Sequence, residues 1–281
     1  MRPRTSMTPS LIQKWIAGGR GQGSGADYIP WLRIQDVPSR GRSHRIKGWR
    51  HGRVHHLLSD LEAYIFYTYE WSLPVIEIRE QYPLLPLEET LSIAEELNIR
   101  HPFDKKTGHP TVLSTDFVLT INHDLHNVYH ARQAKYASEL GDLRTLEKLE
   151  IERRYWERRP DINYGIVTER DLLMPLVHNI KWVHPRYDIT SFSSLSKETI
   201  NEIATMLTRM VLKEDAPLRK ITSACDFRLG LSIGRSLSIA RHLIAIRYWK
   251  VDMSKPLKDG KRLALLNIPK HELYGKVRLR A

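Results

Sequence analysis

Two stretches with the two-residue period of a β-strand, joined by a short polar turn, constrain this chain most tightly. Phe117, Leu119 and Ile121 alternate with Asp116, Val118 and Thr120, which predicts a strand with the two sets on opposite faces. Asn122 to Asn127 is polar and turn-prone, and Val128 to Tyr136 returns as a second strand. Gln133 and Lys135 share one face of that strand. If the turn holds an even number of residues, Asp116 lies on the same face and opposite them. A carboxylate, an amide oxygen and a lysine then converge at one edge of a hairpin. Such a set can hold Mg²⁺ and a polarised water against a phosphodiester. The triple is a weak signal taken alone, and a buried Asp116–Lys135 salt bridge is the ordinary alternative.

The surrounding pattern predicts a mixed α/β domain. Ser59-Asp60-Leu61-Glu62 opens a helix running to Trp71, and Ser59 with Glu62 has the form of a capping box, which gives Glu62 a structural explanation. His55 and His56 are adjacent and point apart, so they are a poor zinc pair. Val75 to Glu80 alternates like a strand, Glu88 to Asn98 reads as a short helix, and Asp161 to Thr168 as another strand. Gly141 to Arg159 predicts a charged helix with Leu143, Leu146, Leu149 and Trp156 toward the core. Glu147, Glu150, Arg153 and Arg154 form its solvated face.

Pro175, Pro185 and several polar residues interrupt the pattern between Arg170 and Asp188, which predicts domains of residues 1–170 and 171–281. In the second, helices are expected at Ser196 to Lys213, Ile221 to Leu229 and Ser236 to Ala245. Strands at Ile246 to Val251 and Leu263 to Ile268 flank a basic turn. Three helices followed by a basic hairpin is the winged-helix pattern, and an unrelated α+β cap is the alternative.

The 281 residues carry a formal charge of +12, a balance that favours a polyanionic partner, with nucleic acid ahead of membrane. The single cysteine, Cys225, excludes an intrachain disulfide framework and a cysteine-based zinc site and points to a reducing cytoplasm. No apolar run approaches the ~20 residues of a membrane span, and Met1 to Gln13 lacks a signal-peptide core. A cytosolic protein is expected. Gly18 to Gly25 fits neither a Walker loop nor a dinucleotide fingerprint and reads as a basic tether or plain linker. Arg20, and Arg42, His44 and Arg45 in the basic segment Arg40 to Lys47, are candidate DNA contacts, with a solvated loop as the alternative for the latter.

Several ordered strings carry a resemblance: Gly19-Arg20-Gly21-Gln22-Gly23, Asp27 to Leu32, Gly41 to Ile46, Gly52 to Glu62, Ile78-Arg79-Glu80-Gln81, Ser114-Thr115-Asp116-Phe117 and Arg144 to Glu150. Together, across residues 19 to 156, they resemble the TnsA family, the endonuclease subunit of bacterial heteromeric cut-and-paste transposases. The resemblance implies a restriction-endonuclease-like catalytic domain, with Glu62, Asp116, Gln133 and Lys135 as its active centre. Glu62, Asp116 and Gln133 are the implied ligands of Mg²⁺, with two ions matching the family and Mn²⁺ able to substitute. Thr115 stands where the wider superfamily has proline, and Gln133 where it has a second acid. The turn before Gln133 looks one residue longer than the pattern. The implied partners are transposon-end DNA, a TnsB-like DDE transposase subunit, and a TnsC-like ATPase regulator contacting the C-terminal domain. The competing readings are a stand-alone restriction-like nuclease and a non-catalytic winged-helix DNA-binding protein.

Overall fold

The computed structural model describes residues 6–37, 41–124, 126–192 and 195–267. Arg40 and Ile268 lie outside these residues. The chain divides into two compact units, Met1–Leu172 and Leu173–Ala281.

The first unit opens with α1 (Pro9–Ala17), then β1 (His44–Lys47) and β2 (Val54–Leu57), α2 (Asp60–Trp71), β3 (Val75–Pro83) and α3 (Leu87–Glu96). β4 (Ser114–His123), β5 (His126–Ala134), α4 (Leu143–Glu157) and β6 (Ile162–Val167) complete it. β1 and β2 pair as a small antiparallel ribbon where the sequence suggests only a basic loop. The main sheet has the order β3-β4-β5-β6, antiparallel except for the parallel β5–β6 pair. Val118 and Ala131 of the sheet pack with Ile151, Tyr155 and Trp156 of α4 and with Leu84, Ile93 and Ala94 to form a buried cluster. Tyr69 of α2 meets Phe117 edge-on, with ring centroids 5.5 Å apart.

Three local expectations are corrected. The glycine-rich segment is folded rather than a tether: the Gly21 N–H donates to Ile29 O at 2.6 Å, and Ile29 N–H donates to Gln22 O at 3.1 Å. Gly21 is left-handed, and a Cβ there would lie 2.2 Å from Pro83 Cγ, so only glycine fits. Within this turn Arg20 donates to Asp36 Oδ2 at 2.6 Å and Trp31 O at 2.8 Å, and its guanidinium lies 3.9 Å from the Trp15 ring centroid. Arg20 is therefore a structural cation, because its donors are turned inward to a carboxylate and a carbonyl. On α4 the buried face comprises Leu149, Ile151, Glu152, Tyr155 and Trp156. Leu143 is 73% exposed and Leu146 is 43% exposed; they stand on the first turn, outside the packed face.

A buried ion cluster fixes β3 against the small ribbon. Glu80, fully buried, accepts from Arg53 Nη1 at 2.8 Å, from His56 N–H at 3.1 Å, and pairs with His55 Nδ1 at 2.8 Å. Burial alone would raise the Glu80 carboxyl, but the charges of His55 and Arg53 outweigh it and hold the pKa at about 2. A depressed carboxyl contributes stability that is present above its unfolded value of about 4.3 and lost as pH falls toward 2. Glu80→Gln leaves Arg53 buried without its anion and is expected to cost about 3–5 kcal/mol. Urea unfolding at neutral pH measures that loss. Unfolding between pH 5 and 2 should show the wild type losing stability faster than Glu80→Gln.

The second unit contains α5 (Met174–Val183), α6 (Lys197–Lys213), α7 (Leu218–Arg228) and α8 (Arg235–Ala245), followed by β7 (Lys250–Val251) and β8 (Leu265–Asn267). α5 lies where the sequence suggests only an interruption. Pro175 sits in its first turn, where the missing N–H is tolerated, and Val177, Ile180 and Val183 are buried. The expected strand Ile246 to Val251 shrinks to its last two residues because Arg247 has a left-handed φ of 59°, incompatible with a strand. The Asn179 side chain donates to Met253 O at 2.9 Å and to Lys255 O at 2.7 Å, and accepts from Leu257 N–H at 2.9 Å. One buried amide thus ties the segment between β7 and β8 to α5. Among the described residues no helix is long and apolar enough to cross a membrane.

Candidate active site

The β4–β5 hairpin turns tightly. His123 faces His126 across its tip, and the register runs without a shift to Phe117 opposite Arg132. The turn is therefore even in register, and the longer turn suggested by the sequence does not displace Gln133. Beyond Phe117 the ladder changes. Gln133 Oε1 accepts from the Asp116 N–H at 2.9 Å, and the Ala134 N–H donates to Asp116 Oδ2 at 2.9 Å. On the other side β3 pairs Glu80 with Phe117 and Tyr82 with Thr115, skipping the position between them. The residue there, Gln81, has a left-handed φ of 50°.

This break re-aims Asp116. Thr115 reaches Glu152 of α4, and Val118 joins the α4 cluster. Phe117 meets α2 through Tyr69, and Asp116 meets Glu62 of α2 through Gln81. The strict alternation expected from Asp116 onward therefore fails at its first residue, although the β3–β4 register is the same on both sides of it. A left-handed non-glycine residue costs on the order of 1–3 kcal/mol, which its surroundings must offset.

Glu62 is set by the start of α2. Ser59 caps the helix by accepting from the Glu62 N–H at 3.1 Å. In return Glu62 Oε1 accepts from Ser59 Oγ at 2.9 Å and Oε2 from the Leu58 N–H at 2.8 Å. The cap and the site are thus one feature, since the capping contacts fix where the carboxylate points. Glu62 is 6% exposed and Asp116 is 8% exposed. A single nitrogen, Gln81 Nε2, donates to Glu62 Oε2 and Asp116 Oδ1, each at 3.1 Å. Burial, followed by repulsion from Asp116, pushes Glu62 up to about 8. Burial likewise raises Asp116, against the opposing pull of Lys135.

Lys135 directs its ammonium to Ala134 O at 3.0 Å. No ion pair joins it to Asp116 among the described residues, so the salt-bridge alternative is not what this structure shows. Gln133 spends one oxygen lone pair on the Asp116 N–H and keeps a second. Arg42 Nε donates to Asp60 Oδ2 at 3.3 Å and His44 Nε2 lies 2.7 Å from Asp60 Oδ1, which ties the basic ribbon to the helix start carrying Glu62. Arg42 and Arg45 keep exposed side chains.

Two nearby residues escape the sequence reading. Gln81 carries no periodic signal. Glu152 looks like one more charge on a charged helix, yet its spacing from Leu149, Tyr155 and Trp156 places it on the buried face. Trp156 Nε1 donates to Thr115 Oγ1 at 2.8 Å, and Thr115 Oγ1 donates to Glu152 Oε1 at 2.5 Å. Burial pushes Glu152 up to about 8.

Among the described residues no three His, Cys, Asp or Glu side chains gather as a metal cluster. The donor set at the site is two carboxylates with neutral amides. It nonetheless suits a hard divalent cation: two buried carboxylates converge on one point, and the ligand atoms they and the amide carbonyls offer are oxygens.

The comparisons with known proteins place this chain in a class. Residues 72–169 match the family model described as TnsA-like endonuclease N terminal, and residues 171–253 match TnsA endonuclease C terminal. The class is an endonuclease of DNA transposition. A relative from Escherichia coli, the transposon Tn7 transposition protein TnsA, is 38% identical over 260 residues, covering 92% of each chain. The chain belongs to the TnsA family.

Proposed function

We propose that this endonuclease is Mg²⁺-dependent and nicks the 5′ strand at each transposon end during cut-and-paste transposition. The observation that carries this reading is the bridge between Glu62 and Asp116, two buried carboxylates brought to one point by a helix cap and a broken strand ladder. Glu62 and Asp116 hold the cation, with the second lone pair of Gln133 Oε1 as a neutral ligand. When bound, Mg²⁺ supplies charge neutralisation at the phosphate and lowers the pKa of water. Lys135, which makes no ion pair with Asp116 among the described residues, orients the attacking water and stabilises negative charge developing on the phosphate.

The first unit, on this reading, is a restriction-endonuclease-like catalytic domain spanning residues 1–170. Residues 171–281 form a winged-helix-like domain, supported by the three helices α6, α7 and α8 and the β7–β8 pair. Arg42, just before the ribbon, and His44 and Arg45 on it are read as contacts to DNA phosphates, a reading supported by the exposed side chains of Arg42 and Arg45 and by the ties of Arg42 and His44 to Asp60 at the start of α2. A TnsB-like DDE subunit cuts the other strand, and a TnsC-like ATPase engages the C-terminal domain. The expected cytosolic setting suits these partners.

The cation requirement is tested on a labelled transposon end with the complete set of transposition proteins. A chelator is expected to abolish 5′-strand nicking, and Mg²⁺ or Mn²⁺ to restore it. Nicking that persists in excess chelator would overturn the proposed metal dependence. Plasmid cleavage by the purified chain alone would favour a stand-alone nuclease.

A further inference from the structure

Gln81 sits at the centre of the site without a role in the reading above. It is 2% exposed, and its backbone carbonyl accepts from the Trp31 N–H at 3.1 Å. Its left-handed backbone, φ 50°, directs the side chain between Glu62 and Asp116 at the position that the β3–β4 ladder skips. Nε2 faces both carboxylates at 3.1 Å, and Oε1 accepts from Ser114 Oγ at 3.2 Å.

The nitrogen-inward orientation is what two adjacent acids favour when no cation is present, since an amide N–H₂ can donate to both. A point within reach of both carboxylates is also where a divalent cation bound by both would lie. An N–H₂ facing a cation is repelled, whereas the carbonyl oxygen of the same amide is a hard neutral ligand. A half-turn about the last side-chain bond exchanges the two. Ser114 supports either orientation, because a hydroxyl donates to an oxygen or accepts from a nitrogen.

We propose that Gln81 is a further cation ligand of the endonuclease site, held nitrogen-inward by Glu62 and Asp116 and turned oxygen-inward when a divalent cation binds. The proposal rests on the assignment of Glu62 and Asp116 as cation ligands. It makes Asp116 the centre of an amide pair, with Gln81 on one neighbouring strand and Gln133 on the other.

Calorimetric titration of the full chain with Mg²⁺ and with Mn²⁺ tests it without reference to activity. Gln81→Met, similar in length but without an amide, is expected to weaken binding by roughly tenfold or more. Gln81→Glu, which offers oxygen permanently, is expected to bind at least as tightly as wild type. If Gln81→Met fails to unfold cooperatively without metal, Gln81→Glu carries the test through the cation-induced rise in Tm. Unchanged or tighter binding by Gln81→Met, or weaker binding by Gln81→Glu, would overturn the proposal. Asp116→Asn separates the two levels. If it binds cation like wild type, the site assignment itself fails. If it loses binding while Gln81→Met keeps it, only the role of Gln81 fails.

Discussion

Lys135→Ala is expected to slow strand cleavage by roughly 10²–10³-fold while divalent-cation binding persists. The ammonium donates to a backbone carbonyl, Ala134 O, so truncation leaves Glu62 and Asp116 their hydrogen bonds and removes the electrostatic pull that lowers Asp116. Asp116 keeps its contacts from Gln81 and the Ala134 N–H. What is lost is a fixed positive charge beside the phosphate, which matters most as negative charge builds in the transition state. The check is a paired measurement: single-turnover nicking for the rate and calorimetry for the cation. An unchanged rate would remove Lys135 from the chemistry. A rate loss matched by an equal loss of cation affinity would make it a structural support for the metal site.

Asp116→Asn has the larger expected effect on binding and the opposite sign on metal-free stability. The substitution keeps the shape but removes one of the two buried acids that Gln81 Nε2 bridges. Burial raises the carboxyls of both Asp116 and Glu62. A raised carboxyl contributes stability below its unfolded pKa and loses it as pH rises through the folded value. At neutral pH without metal the two acids therefore work against the fold, and Asp116→Asn should unfold at a temperature no lower than wild type. With saturating Mg²⁺ the order reverses. Wild type gains RT ln(1 + [L]/Kd), about 2.7 kcal/mol at a hundredfold excess over Kd, and the variant gains none. Differential scanning calorimetry with chelator and with Mg²⁺ gives both numbers. A variant still stabilised by Mg²⁺ would place the cation elsewhere.

Much of the scaffold is legible in the residues because the signals are local. The alternation of β4 and β5 and the Ser59–Glu62 cap each follow from spacing alone, and the structure puts a strand pair and a helix start there. Asp116 and Gln133 meet just past the regular hairpin ladder, through the Asp116 N–H and the Gln133 side-chain oxygen, whereas Glu62 comes from a distant helix, and only the resemblance joined it to them. The residues that periodicity misses depend on tertiary context. Gln81 acts through a broken ladder and a left-handed backbone, neither of which leaves a compositional trace. Glu152 is hidden among the charges of α4 and is exposed as a core residue only by the face it shares with Trp156. Arg20 misleads for the converse reason, since an arginine among glycines looks solvated until Asp36, sixteen residues further on, is seen to claim its donors.

The central claim is that Glu62, Asp116, Gln133 and Lys135 form a site that cuts one defined strand. Reconstituted excision with each strand of a transposon end labelled separately, comparing wild type with Asp116→Ala, tests it most directly. The account predicts that 5′-strand nicks vanish while 3′-strand nicks, made by the partner subunit, continue. Persistent 5′ nicks, or equal loss on both strands, would contradict it.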